Sequence, residues 1–308
     1  MSGEKPIAIT GATGFVGQAV LDETMHRNQP VNALVRRASD HKHSRVEWVL
    51  GDLSNSEALG HLAAGVKAII HIAGLTNTPD PGNFETANVA GTANVIAAAK
   101  QQGVKRFVFV SSLSARKPEL SAYGASKAAA EDLVQASGLD WTIVRPPAVY
   151  GPRDSDMFEL FRTARMGIVP LPPGGATSII HVSDLARLLL DLVDAQPALV
   201  RKKLFEPDDG REGGWSHKEM AQAIGTAVGK RVFAPHLPRA VLQGAAHLDK
   251  VFRGSRAKLT QDRVGYMCHP NWVARSDRRV PDSVWEPQVN GPDGFASTAK
   301  WYAEEGWF

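Results

Sequence analysis

Cysteine is nearly missing from this chain: Cys268 is the single one among 308 residues, so no intrachain disulfide can form and a reducing compartment is the natural setting. Long hydrophobic runs are missing too. The richest, Leu188-Leu189-Leu190, is soon broken by Asp191 and Asp194, short of a membrane span. The start, Met1-Ser-Gly-Glu-Lys-Pro6, lacks the charged-then-apolar pattern of a signal peptide. A net charge of only +3 argues against nucleic acid as the main partner. There is no Gly-x-Ser-x-Gly hydrolase elbow, and His41-Lys-His43 has no matching ligands nearby, so no metal site is expected. With 43% hydrophobic and 22% charged residues, the composition is that of an ordinary globular protein large enough for one big domain or two coupled ones. The expectation is a cytoplasmic protein acting on a small molecule, with no nucleic-acid and no membrane partner.

What is present alternates. Short apolar runs at Ile7–Thr10, Val31–Val35, Val46–Leu50, Ala68–Ile72, Phe107–Ser111 and Trp141–Val144 are separated by helical patterns at Phe15–Arg27, Ser56–Ala63, Phe84–Gln102 and Tyr123–Ser137. A seventh run, Ser178–Val182, leads into a helix to about Ala195. This rhythm predicts an α/β fold, a Rossmann-type doubly wound parallel sheet. Past residue 205 the texture changes: short strands at Lys203–Phe205 and Val232–Ala234 mix with helices at His217–Val228, Arg239–Val251 and Phe295–Glu304, densely punctuated by Gly and Pro. The predicted division is a nucleotide-binding core over 1–205, with 151–177 reaching outward, and a smaller C-terminal substrate lobe over 206–308. Ligands in open α/β sheets bind at the carboxyl ends of the strands, between two such parts.

The segment Ile7-Ala-Ile-Thr-Gly11-Ala-Thr13-Gly14-Phe15-Val16-Gly17 reads as strand, glycine turn and helix. Gly11 suits a sharp turn, Gly14 the close approach of a pyrophosphate at the helix N-terminus, and Gly17 close helix–sheet packing. The second run ends in Arg36-Arg37, with the nearest acid, Asp40, beyond it. Arginines there suit a ribose 2′-phosphate, so NADP is favoured and NAD stays possible; solvated loop arginines are the alternative. Asp52 either accepts from an adenine amino group or caps a turn, and Leu53 packs against the adenine. Ile72, Ala73 and Gly74 leave room for ribose and phosphates, while His71 reads as a satisfied interior histidine. Pro146, Ala148 and Val149 belong to an extended loop whose amides can meet a nicotinamide carboxamide. Ser114, Tyr150 and Arg153 are the candidate substrate contacts, although Arg153 and Asp154 can equally be solvated. The basic residues scattered over Arg253–Arg279 suit an anionic substrate or a solvated face.

Tyr123-Gly-Ala-Ser-Lys127 puts a phenol and an ammonium four residues apart, on one helix face. A lysine held there favours the phenolate, and such a tyrosine can exchange a proton with a substrate oxygen. Upstream, Phe107-Val-Phe-Val-Ser111-Ser112 ends a buried run in hydroxyls, one of which can hold the reacting oxygen.

Together with Asn88-Val-Ala-Gly-Thr92, Arg145-Pro-Pro-Ala-Val-Tyr-Gly151 and His181-Val-Ser-Asp-Leu-Ala186, these stretches resemble the extended short-chain dehydrogenase/reductase superfamily, in its NAD(P)-dependent epimerase/dehydratase branch, from about Ile7 to Ala195. The resemblance implies that Tyr123 is the acid/base, that Lys127 binds the nicotinamide ribose and lowers the phenol's pKa, and that Ser112 holds the substrate oxygen, with Ser114 a second candidate. It places Ser111 beside the cofactor. Asn88 matches a helix asparagine that supports the site, or is a buried structural amide. Two departures narrow the chemistry. Leu113-Ser114 replaces the Asp-Glu pair of sugar dehydratases, and Pro173-Gly-Gly-Ala-Thr-Ser178 lacks the arginine that grips nucleotide sugars. The reading is therefore an NADP-dependent oxidoreductase acting on a secondary alcohol or ketone, or an aldehyde. A nucleotide-sugar epimerase with retained cofactor is the enzymatic alternative, and a non-catalytic cofactor-binding scaffold or sensor similar to the respiratory complex I accessory subunit is another. Relatives of this type form a homodimer, here through Phe84–Gln102 and Tyr123–Ser137.

Overall fold

The computed structural model describes residues 4–37, 45–254 and 257–308; Asp40, His41, His43 and Arg256 lie outside these. The chain opens with β1 (Ile7–Thr10), turns into α1 (Phe15–His26), and continues through β2 (Val31–Val35), β3 (Val46–Leu50), α2 (Ser56–Ala63) and β4 (Ala68–His71). A short turn, α3 (Gly82–Phe84), passes through a π-helical stretch at Glu85–Ala90 into α4 (Gly91–Gln101), followed by β5 (Arg106–Val110), α5 (Ala122–Ala136) and β6 (Asp140–Val144). Then come β7 (Ala148–Tyr150), α6 (Phe158–Arg165), β8 (Ala176–Thr177), β9 (Ile179–His181), α7 (Val182–Asp194), α8 (Pro197–Val200) and β10 (Lys203–Phe205). The remainder holds β11 (Trp215–Ser216), α9 (His217–Ala227), α10 (Arg239–Arg253), α11 (Gln261–Met267), β12 (Asn271–Trp272) and α12 (Gly291–Glu304).

Seven strands form one parallel sheet in the order β10-β6-β5-β4-β1-β2-β3. Order reverses between β1 and β4, and that switch point opens a crevice at the strands' carboxyl ends. Alternating side chains feed two cores, because successive strand residues point to opposite faces. Ile7 and Ile9 join Leu185, Leu188 and Leu189 beneath α1 and α7, while Ala8, Ile69 and Phe107 join Leu59, Leu62 and Val134 beneath α2, α4 and α5. Each such Ile, Leu, Val or Phe side chain stabilises the fold by about 1.5–3 kcal/mol relative to exposure.

A third core, with Tyr150, Phe161, Trp215, Ile224, Phe295 and Tyr302, fills the second lobe. Its helix α12 starts on glycines because nothing larger fits. A Cβ on Gly294 would stand 2.1 Å from the Tyr150 hydroxyl, and one on Gly291 2.3 Å from the Trp215 ring. The stretch before α12 also returns to the sheet: Val280 and Trp285 pack into the first core. Trp285 Nε1 donates to the Asp184 carbonyl at 3.1 Å, and the Asp184 carboxylate accepts the Gln288 and Val289 amides at 3.0 and 2.9 Å.

The doubly wound sheet agrees with the expectation, and all six strands expected before residue 145 lie within one residue of it at either end. The seventh strand does not. Ile179–His181 pairs with β7 in a separate two-stranded sheet, and Lys203–Phe205 completes the main one beside β6. Val232–Ala234 forms no strand, only an isolated bridge between Ile168 and Phe233. The helix expected over Phe84–Gln102 begins in π-form, and α12 begins four residues before the expected Phe295. No helix among the described residues is long and apolar enough to cross a membrane. Trp285→Ala should cost about 3–5 kcal/mol, as deletion of a buried tryptophan does, and lower the thermal midpoint; an unchanged unfolding curve would mean that this segment is not part of the core.

Candidate active site

The glycine turn after β1 is built for close approach. Gly11 has a φ of +76°, and a Cβ there would stand 2.7 Å from the Ala73 amide nitrogen. The Gly14 amide closes the turn by donating to the Gly11 carbonyl at 3.0 Å. A Cβ on Gly17 would stand only 2.0 Å from that same carbonyl oxygen, so α1 sits hard against the turn. No side chain caps α1 at its N-terminus and no acid occupies its first turn, which leaves the positive helix end to an anionic ligand. Thr13 and Gly14 are exposed there, with Phe15 and Val16 half-buried. These residues fit a dinucleotide's pyrophosphate.

From this turn a line of contacts leads to the tyrosine. Gly11 abuts Ile72 and Ala73; a Cβ on the next residue, Gly74, would lie 3.8 Å from Lys127 Nζ and 2.8 Å from Asn88 Oδ1. Asn88 accepts from the Leu75 amide at 2.7 Å and donates to the Leu75 carbonyl and to Ser126 Oγ at 3.0 and 2.9 Å. It therefore pins the loop after β4 to α5. Lys127 is buried, donates to the Val110 carbonyl at 2.7 Å and lies 4.7 Å from the centre of the Phe109 ring. One turn back, Tyr123 is within hydrogen-bonding reach of Ser112, whose Oγ also accepts the Ser114 amide at 3.1 Å.

Electrostatics corrects one expectation. Burial pushes the Tyr123 phenol up to about 12, with the Ser112 hydrogen bond pulling the other way; Lys127 does not figure among the causes. Burial likewise brings the Lys127 amine down to about 8, opposed by the charge of Glu131. In the protein without ligand, dehydration of the phenol outweighs any help from the amine. His71 is the interior histidine expected. Its Nδ1 is 2.6 Å from Thr10 Oγ1 and its Nε2 3.0 Å from Thr92 Oγ1, and burial, then Lys127, holds it down to about 3 and uncharged.

Sequence reasoning missed Glu131, one turn beyond Lys127. It accepts the Ser111 hydroxyl and receives Arg145 through two bonds, from Nε at 2.8 Å and Nη2 at 2.6 Å. It also missed α11. Asp262 there accepts the Ala122 and Tyr123 amides at 2.5 and 3.3 Å, supplementing Ser121, whose Oγ accepts the Gly124 amide at 2.9 Å. Gly265 brings α11 against the Leu120 carbonyl, where a Cβ would stand 2.2 Å away. Tyr266 then faces Tyr123 with ring centres 6.1 Å apart, and Phe84 lies 5.8 Å away on another side. Arg263 bonds the Tyr266 phenol and pairs with Asp156 at 2.7 Å. Thr260, the cap of α11, followed by the acid at position 262 was the available signal.

Other expected residues fall as follows. Arg36 and Arg37 are exposed at the end of β2, with Arg36 close enough to Asp52 to stabilise its charge. Asp52 Oδ1 is engaged by the Ser54 amide and hydroxyl at 2.8 and 2.6 Å, the turn-capping arrangement, and Leu53 rests on Gly91. Pro146 is buried and its carbonyl accepts the Leu113 amide at 3.1 Å; Ala148 and Val149 are half-buried in β7, paired with β9. Two substrate candidates require correction. Tyr150 is fully buried in the lobe core, 4.7 Å from the Phe295 ring centre, because its apolar body is worth more inside than in a pocket. Arg153 turns to the outside of α1, pairing with Asp22 at 2.6 Å. Ser114 is as buried as Tyr123 and Lys127, with its carbonyl against Gly124, so its burial does not remove it from the candidate site.

A family model described as NAD(P)H-binding matches residues 11–196. Ceramide reductase of Caulobacter vibrioides is 34% identical over 310 residues, covering 98% of this chain and 95% of that protein. UDP-glucose 4-epimerase of Vibrio cholerae is 29% identical over 76% of this chain and 79% of its own. Among solved structures, the Bordetella bronchiseptica enzyme WbmH in complex with NAD+ superposes with a TM-score of 0.75 at 21% identity, covering 99% of this chain and 100% of that one. Glu131→Gln should weaken the Arg145 pairing and destabilise the protein by about 3 kcal/mol in denaturant titration. A change below about half a kcal/mol would show that the pairing does not hold α5 in place.

Proposed function

The chain belongs to the NAD(P)H-binding family, as an NAD(P)-dependent reductase or epimerase of the extended short-chain dehydrogenase/reductase type, and from that premise we propose that it is an NADP-dependent reductase of a ketone carried on an apolar, lipid-like substrate. The observation that carries this is the placement on one face of α5 of Lys127, beside Gly74, and one turn back Tyr123, beside Ser112, next to the Gly11 turn. The 34% likeness to a ceramide reductase over nearly the full length supports the substrate class, as does the setting of Tyr123 between the Phe84 and Tyr266 rings.

Bound cofactor supplies the hydride. Tyr123 donates a proton to the ketone oxygen, and Ser112 orients that oxygen by a hydrogen bond. A phenol that burial keeps protonated is the correct form for reduction, since the oxygen must gain a proton as the carbon gains hydride. Lys127, at the edge of Gly74, holds the nicotinamide ribose as a charged donor. The exposed Arg36 and Arg37 donate to the 2′-phosphate. The same reading takes the protein as a homodimer through the outer faces of α4 and α5. A second reading, nucleotide-sugar epimerase, is favoured by the likeness to UDP-glucose 4-epimerase; oxidised cofactor retained through purification without net redox turnover would select it.

Tyr123→Phe should lower turnover about 100- to 10,000-fold, the range expected for loss of an acid/base, while cofactor affinity stays within about twofold; undiminished turnover would remove the mechanism. Arg36→Ala with Arg37→Ala should weaken NADPH binding about tenfold or more and leave NADH binding nearly unaltered. Tighter binding of NADH than NADPH by the unmodified protein would overturn the cofactor assignment. Because the Lys127 amine loses its proton as pH rises through about 8, cofactor affinity should fall there. Glu131→Gln removes the opposing charge and should move that fall to lower pH; a flat profile from pH 7 to about 9.5 would exclude a charged Lys127 as the ribose holder.

A further inference from the structure

A helix leaves its first amides without partners of its own, and something else must accept them. At the start of α5 each has an acceptor. The Gly124 amide donates to the Ser121 side chain at 2.9 Å and the Ala125 amide to the Ser121 carbonyl at 3.0 Å. The Ala122 and Tyr123 amides are taken instead by Asp262, a residue 140 positions beyond Ala122. Each donates to a different carboxylate oxygen, at 2.5 and 3.3 Å. Helix α5 carries no acid in its own first turn, so Asp262 also brings the negative charge that a positive helix end favours.

Asp262 is itself held in place. Asn77, on the loop after β4, donates to the Ala257 and Lys258 carbonyls at 3.1 and 3.3 Å and accepts the Thr260 hydroxyl at 3.2 Å. Thr260 in turn caps α11 by accepting the Arg263 amide at 3.2 Å. The Arg263 guanidinium pairs with Asp156, just before α6, at 2.7 Å. The Trp272 indole, on β12, donates to the Tyr266 carbonyl at 2.8 Å. Gly265 seats α11 on the Leu120 carbonyl, where no side chain would fit. The helix is thus tied to the nucleotide-binding core on one side and to the second lobe on the other.

Asp262 and Tyr266 are four residues apart and share a face of α11. That face meets Tyr123 twice, at its amide through Asp262 and at its ring through Tyr266, with ring centres 6.1 Å apart. Further along α5, Lys127 donates to the Val110 carbonyl and Glu131 holds Ser111 and Arg145. Those anchors fix the helix one and two turns past the tyrosine. Helix ends fray, and the turn that bears the phenol is the end. We propose that Asp262 is a positioning residue: by gripping the Ala122 and Tyr123 amides it keeps the first turn of α5 wound and so holds the Tyr123 hydroxyl against Ser112. The carboxylate acts through the tyrosine and takes no part in the chemistry. Its effect on turnover rests on the reductase reading above; its grip on α5 does not.

The test pairs amide hydrogen exchange of the full-length protein, read by mass spectrometry, with ketone turnover by NADPH. Asp262→Ala should speed exchange in peptides from the start of α5 about tenfold or more and leave those from its second half within about twofold. In the same variant kcat should fall about 10- to 100-fold, as expected for a displaced reacting group, while KM for NADPH stays within about twofold. Asp262→Asn keeps one acceptor oxygen but turns an amino group toward the second amide, so it should recover only part of both. Unchanged exchange at the start of α5 in the alanine variant overturns the proposal. Exchange that rises equally along all of α5 does so too, since that is general loosening, and so does raised exchange with undiminished kcat. Should the alanine variant not fold, the asparagine variant decides, and protection and kcat equal to those of the unmodified protein would overturn the proposal. Selective exchange at the start of α5, with no ketone turnover even by the unmodified protein, would sink the reductase reading and leave the grip on α5 standing.

Discussion

A buried carboxylate, Glu131, decides the geometry of the candidate site. Through the Ser111 hydroxyl it holds the end of β5, and through two bonds from Arg145 it holds the end of β6, while it sits on α5 itself. Arg145 also approaches Glu206 at 3.7 Å, and Glu206 receives Arg116 at 3.2 Å, which donates onward to the Val273 carbonyl at 2.9 Å. Buried ion pairs are poor sources of net stability, because removing two charges from water offsets most of their attraction. Their strength lies in intolerance of misplacement: a buried charge left alone costs several kcal/mol, so the elements that carry the partners cannot drift. Here those elements bear Ser112, Tyr123 and Lys127. The same charge opposes the dehydration of Lys127, so one residue both places the amine and keeps it protonated near neutrality.

Below this network the polar interior is neutral by construction. His71 lies at the end of β4, under the glycine turn, and a charge there would confront the Lys127 ammonium. Burial and that ammonium together keep its ring uncharged, while Thr10 and Thr92 satisfy both nitrogens. Thr10 Oγ1 additionally accepts the Ala73 amide at 3.2 Å. The histidine therefore joins β1, β4 and α4 by hydrogen bonds alone and adds no second positive charge to the crevice.

Much of this was legible from sequence where local pattern and tertiary role coincide. Buried strands such as Ile7–Thr10 and Phe107–Val110 announce themselves by continuous apolar runs, and the glycines of the first turn by the backbone conformations and approaches they alone permit. The second lobe was less legible because its elements are short and stabilised from afar. β8, β11 and β12 have two residues each, too few for a period. α12 was read late since Gly291 and Gly294 disfavour a helix locally, yet both are required by the Trp215 and Tyr150 side chains pressed against them. Tyr150 was misplaced for a related reason. A phenol in a loop motif reads as a ligand contact, but with Phe295 and His181 against its ring it is core.

The tyrosine–lysine spacing shows a different limit. Four residues on a helix predict a shared face, and Tyr123 and Lys127 share one, but proximity alone does not set a pKa. The sign depends on the balance between removal from water and the partners that remain. With Tyr123 covered by Phe84, Tyr266 and α11, dehydration prevails and the phenol stays protonated. Lys127 meanwhile spends a hydrogen on the Val110 carbonyl. Removing the Phe84 or Tyr266 ring would rehydrate the phenol and lower its pKa. A buried phenol therefore rests as a proton donor, and the neighbours that exclude water from it, more than the lysine one turn along, hold it in that form.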